Sequence, residues 1–91
     1  MEEARLQNYM EILVADMMPN IVSHMDICLC ERCKMDILAN ALNQLPVKYV
    51  VSKKGQLYAK LGALQHQFDV DIVTALTRAA SVVGANPRHE A

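Results

Sequence analysis

The chain has 91 residues, enough for one domain around one small core and too few for a multi-step catalytic machine. Apolar residues make up 53% of it but aromatics only 4%, so the core must be assembled from Leu, Val, Ile, Met and Ala, a composition suited to packed helices rather than to a small β-barrel. A net charge of -1 argues against a protein that coats DNA, and the high apolar content argues against disorder.

The chain starts with the acidic Met1-Glu2-Glu3, which leads into no apolar signal segment. No run approaches the roughly 20 apolar residues of a membrane span. A soluble, cytoplasmic protein without membrane or direct nucleic-acid contacts is therefore expected. Leu6, Met10, Leu13 and Met17 recur on one helical face and predict a helix over about 3 to 18. Pro19 removes a backbone donor, so a break or kink is expected there, with Ile21 to Met25 able to resume the helix. A polar stretch with the cysteines follows. Met35, Leu38, Leu42 and Leu45 then mark a second helix over about 34 to 45, ended by Pro46.

Val47 to Lys54 is β-branched and basic, which reads as extended chain closing in a turn at Gly55. Beyond it, Leu57, Leu61, Leu64, Phe68, Ile72, Ala75, Ala79 and Val82 keep helical spacing, and Gly84 with Asn86-Pro87 supplies a stop. A helix over about 56 to 84 would be about 43 Å long, against a radius of gyration of about 12 Å for a globule of this size. Its apolar stripe, extended by Val70, Val73, Leu76 and Val83, is most simply covered by the same helix of a second copy. A helical hairpin dividing near Asp69-Val70-Asp71 is the monomeric alternative. The fold expected over residues 1–91 is thus a single all-α domain, small and helical, with a cysteine-rich turn, a long C-terminal helix and a two-fold homodimer.

Cys28-Leu29-Cys30-Glu31-Arg32-Cys33 is the densest chemical signal. Three closely spaced thiolates can converge on one zinc ion without long-range folding, and an odd number of cysteines within six residues does not suit a secreted disulfide framework. Three is one ligand short. Asp36, one helical turn after Cys33, could complete the shell, as could Asp26, His24, water or a partner chain. Iron-sulfur ligation usually needs four cysteines. A redox pair, Cys30 and Cys33, and three inert thiols remain the alternatives. His24, His66 and His89 are scattered, so nothing marks a catalytic thiolate.

Charge is distributed unevenly. Arg5 faces six acids in residues 1–31, a balance of -5, whereas Arg32, Lys34, Lys48, Lys53, Lys54 and Lys60 face only Asp36 in residues 32–60, a balance of +5. Such a segment is either a solvated basic loop or an anion site. Asp36, Asn40 and Asn43 line one face of the second helix. Asparagine suits an idle helix surface poorly, and with Lys34 and Tyr49 nearby these groups could serve a purine attached to phosphate.

The Cys-x-Cys-x-x-Cys cluster, Asp36, the run Ala41-Leu42-Asn43-Gln44-Leu45-Pro46 and Tyr49-Val50 together resemble the signature of the late competence development ComFB family of small bacterial proteins. With the long C-terminal helix the resemblance covers nearly the whole chain. It implies an all-helical homodimer with zinc held by Cys28, Cys30 and Cys33 and no known enzymatic activity; the sequence does not identify a protein partner. Some members of the family are receptors for cyclic di-GMP or cyclic di-AMP. That implies a ligand site at Lys34, Asp36, Leu42, Asn43, Pro46 and Tyr49, to which the charge pattern adds Arg32 and Lys53 as basic candidates.

Overall fold

In the computed structural model, residues 4–53 and 56–87 are described, the side chains of 52–65 excepted. Chain order is β1 (Ala4–Asn8), α1 (Tyr9–Val22), α2 (Glu31–Asn43), β2 (Tyr49–Lys53) and α3 (Gln56–Ala85). The expectation of an all-α domain is therefore corrected: three helices are joined by a two-stranded antiparallel sheet, and the fold is mixed α/β. β1 pairs with β2 in a register that sets Leu6 opposite Val51 and Asn8 opposite Tyr49. The β-branched segment after Pro46 satisfies its backbone groups by recruiting the residues before α1, which local spacing alone assigned to a helix. Lys54 and Gly55, where a turn is expected, lie outside the described residues.

Asn8 makes the junction. Its Oδ1 accepts from the amide of Met10 at 3.1 Å, capping α1, and from the amide of Lys48 at 2.9 Å. The amide of Tyr9 donates to the Lys48 carbonyl at 2.9 Å. α1 then runs through Pro19 rather than breaking there. Pro19 is exposed, so its ring faces solvent, while Met18 and Val22 beside it are buried. Burial of the last turn outweighs one missing helical hydrogen bond.

α2 begins three residues earlier than the spacing suggests and is rotated from the expected face. Cys33, Ile37 and Ala41, at i, i+4 and i+8, are buried, whereas Met35 is exposed and Leu38, Leu42 and Leu45 are half-buried. α3 is one continuous helix, with no division near Asp69. Ile72, Ala75, Leu76, Ala79, Ala80 and Val83 bury its second half against α1 and α2. Val70, Val73 and Val82, expected on its apolar stripe, are exposed, and the contributions expected of Leu57, Leu61 and Leu64 lie outside the described side chains.

Lys48 Nζ lies 5.3 Å from the centroid of the Phe68 ring, which ties the start of β2 to α3. The molecule measures 48 × 27 × 20 Å with a radius of gyration of 14.4 Å. That exceeds the value of about 12 Å for a compact chain of this length, because α3 spans the whole long axis. No helix among the described residues is long and apolar enough to cross a membrane.

Candidate metal centre

The cysteine turn is built by the end of α1 and the start of α2. Ser23 closes α1 by donating its amide to the Pro19 carbonyl, and the Met25 amide donates to the Val22 carbonyl at 3.0 Å. Ile27 is half-buried against the core and anchors the next residues. Cys30 has extended dihedrals at the N-cap of α2, and its carbonyl accepts the helix's opening bond from the Lys34 amide at 2.9 Å. Cys33 lies three positions into α2 with its side chain 1% exposed. Cys28 is half-buried and Cys30 exposed, and all three are free thiols.

Their sulfurs lie within 4.8 Å of one another. Around a tetrahedral zinc, thiolate sulfurs sit about 3.8 Å apart given bonds of about 2.3 Å. The cluster therefore needs to contract by no more than about 1 Å to seat an ion. A soft, all-sulfur donor set presented from a short loop and one helical turn suits zinc better than a hard cation.

The surroundings prepare the sulfurs unequally. The Cys33 amide facing Cys30 holds that thiol's pKa below its ordinary value, against a smaller opposing effect of burial. No cap hydrogen bond of full geometry forms at this position, so the effect belongs to the oriented amides and positive end of α2. Cys33 is pushed up to about 12, first by burial and then by the hydrogen bonds and charges of Cys30 and Cys28. An ion that joins the cluster replaces this mutual repulsion with shared attraction.

Asp36 does not join the sulfur cluster. Its carboxylate accepts from Arg32 Nε at 3.3 and 3.4 Å, an i, i+4 pair on α2. Lys34 pairs with Glu31 at 3.7 Å. Of the other expected ligand-site residues, Asn43 lines a cleft of about 290 Å³ between α2 and α3 together with Asp36, Asn40 and Asn86. Pro46 lines a separate cleft of about 510 Å³ with Gln44, Thr74 and Arg78. Leu42 packs against the core, Tyr49 is exposed on the sheet, and the Lys53 side chain lies outside those described. Arg78 escaped the sequence reading because it sits outside the basic segment. Gly84, read there as a stop signal, is a packing position: a methyl group on it would overlap Ile27 Cγ2 and come within 3.1 Å of Ile27 Cβ.

Residues 7–87 match the family model for the late competence development protein ComFB. The competence protein ComFB of Bacillus subtilis (strain 168) is 28% identical over 83 residues, which cover 90% of this chain and 85% of that one. The solved structure of the late competence protein ComFB from Bacillus subtilis is similar with a TM-score of 0.77 and 26% identity, covering 91% of this chain and 94% of that chain.

Proposed function

Because the chain belongs to the late competence development ComFB family, we propose that it is a non-enzymatic regulatory protein whose cysteine turn holds a structural zinc ion and whose working form is a homodimer. The convergence of three free sulfurs within 4.8 Å at the start of α2 carries the metal part of this reading. A bound ion would lock the α1–α2 connection to the first turn of α2, and so contribute directly to the stability of a small core. The residues around it orient and protect: Ile27 roots the loop, and the α2 dipole points its positive end at the thiolates.

Metal analysis of untagged, reduced protein tests the reading. About one zinc per chain, lost in Cys30→Ser, supports it. Metal-free protein that unfolds cooperatively with the same midpoint before and after zinc addition overturns it.

The homodimer reading is supported by the apolar outer face of the sheet, where Leu6, Tyr49 and Val51 are 71%, 60% and 68% exposed. A cyclic dinucleotide is a second reading, favoured by the cleft in which Asp36, Asn40, Asn43 and Asn86 offer several hydrogen-bonding groups to a base edge. Calorimetry with cyclic di-GMP and cyclic di-AMP decides it. Saturable heat that vanishes in Asn43→Ala supports a receptor, and flat titrations with both nucleotides reject one.

A further inference from the structure

The three sulfurs differ in their access to solvent. Cys30 is exposed, Cys28 is half-buried and Cys33 is buried in the hydrophobic core beside Ile37 and Ala41. Cys30 stands at the N-cap of α2 with extended dihedrals, and Cys33 is the third residue of that helix. A side chain at an N-cap leans over the first turn and meets the third helical residue, which is how a serine or threonine caps a helix. Here the same placement brings sulfur toward sulfur.

Residues three apart on a helical turn have Cα atoms about 5 Å apart, inside the span of about 4.4–6.8 Å that a disulfide bridges. The Cys30 and Cys33 sulfurs already lie within 4.8 Å of each other. Cys33 is fixed by the core, whereas Cys30 is free of it, so rotation of the Cys30 side chain closes most of the gap. Charge keeps the sulfurs reactive when an ion is bound: three thiolates around a divalent cation leave one negative charge on the cluster.

We infer that the cluster is a peroxide-responsive switch, in which oxidation joins Cys30 to Cys33 as a disulfide and expels the metal, and a dithiol reductant restores the site. The inference rests on the metal reading above and deepens it. The Cys30 sulfur attacks one oxygen of hydrogen peroxide; the S–O bond forms, the O–O bond breaks and hydroxide leaves, so that sulfur gives up two electrons to the peroxide. The Cys33 sulfur then attacks the sulfenic sulfur of Cys30; the S–S bond forms, the S–O bond breaks and the oxygen departs as a second hydroxide. Both hydroxides take a proton from solvent. The sum is two thiolates, one peroxide and two protons giving one disulfide and two waters. Neither disulfide sulfur retains the thiolate charge that binds zinc, and Cys28 is left as the lone donor of the cluster. The α1–α2 connection thereby loses its tie to the first turn of α2.

The full-length, reduced and zinc-loaded chain treated with hydrogen peroxide tests this, with zinc release read by a chromogenic chelator and thiols mapped by mass spectrometry. One zinc is expected to be lost per disulfide formed, with Cys30 joined to Cys33 and the free thiols falling from three to one. Dithiothreitol should restore both the thiols and zinc uptake. Cys33→Ser removes the second sulfur, so dimedone should then trap a sulfenic acid at Cys30. Cys28→Ser should still form the Cys30–Cys33 disulfide, whether or not it holds zinc. In the parent chain, a disulfide through Cys28, oxidation of Cys30 to a sulfinic acid without a disulfide, or zinc retained with every thiol reduced in excess peroxide overturns the switch while leaving the metal reading intact. A parent chain that takes up no zinc overturns the metal reading and the switch together.

Discussion

Cys30 and Cys33 share the first turn of α2 with opposite acidities: the amide of Cys33 favours the thiolate of Cys30, while burial of Cys33 disfavours its own. Thiolate, not thiol, is the nucleophile toward alkylating reagents, and access compounds the difference. In metal-free, reduced protein at neutral pH, iodoacetamide is expected to label Cys30 first and Cys33 last, read by mass spectrometry of peptides. Added zinc should slow all three cysteines. Equal rates at Cys30 and Cys33 in the metal-free chain would contradict the burial seen for Cys33.

The same burial sets a pH dependence. Cys33 holds its proton to about 12 in the fold, against an ordinary value of 9.0, so the folded state binds the proton more tightly than the unfolded one. Its contribution to stability is complete below pH 9 and is lost as the pH rises through 12. Chelator-treated protein should therefore show a melting temperature that falls across that alkaline window. Zinc-loaded protein should instead be weakest at acid pH, where protons compete with the ion for the sulfurs. Parallel slopes with and without zinc would argue against metal bound through these thiols.

Asn8 concentrates several contacts in one side chain. Asn8→Ala removes the α1 cap and the bond to the Lys48 amide together, and is expected to cost about 1–2 kcal/mol in urea unfolding. Asn8→Asp keeps the oxygen that accepts both bonds and should lose much less. An alanine variant as stable as the parent would mean that the strand pairing does not depend on this junction.

Gly84 and Ile27 form a lock between α3 and the cysteine loop. Gly84→Ala introduces an overlap with Ile27 Cγ2 and is expected to destabilise by about 1–3 kcal/mol despite the better helix propensity of alanine. Ile27→Ala opens space and should cost stability alone, yet the double variant should lose less than the sum of the two. A double-mutant cycle measures that coupling, and strict additivity would show that the two residues do not touch.

Local chemistry was legible in the sequence, and long-range pairing was not. The cysteine cluster is a matter of spacing within six residues, and α3 and β2 carry period and residue type over their own lengths. Leu6 misleads because it precedes Met10 by four residues and so mimics a helical face, while its actual neighbour is Val51 on β2. No local window reports a partner that distant. The α2 stripe was misplaced for a related reason: Cys33, Ile37 and Ala41 face the core, and two of these residues are too small or too reactive to count as core by hydrophobicity alone. Gly84 reads as a helix terminator until Ile27 is seen against it.

The sheet explains how two copies could meet. Val47, Tyr49 and Val51 alternate along one side of the chain, Leu6 joins them from β1, and Lys48 on the opposite side reaches Phe68 of α3. The apolar face therefore points away from its own helices. Leu6, Val47, Tyr49 and Val51 together leave an exposed apolar patch that two copies could cover face to face. Val51→Lys would set two ammonium groups into such a contact, while leaving the Leu6–Val51 backbone pairing and the monomer core untouched. Sedimentation equilibrium should show a dimer for the parent chain and a monomer of unchanged helical content for Val51→Lys. A Val51→Lys variant that stays dimeric would move the interface off the sheet, and a monomeric parent would remove the dimer.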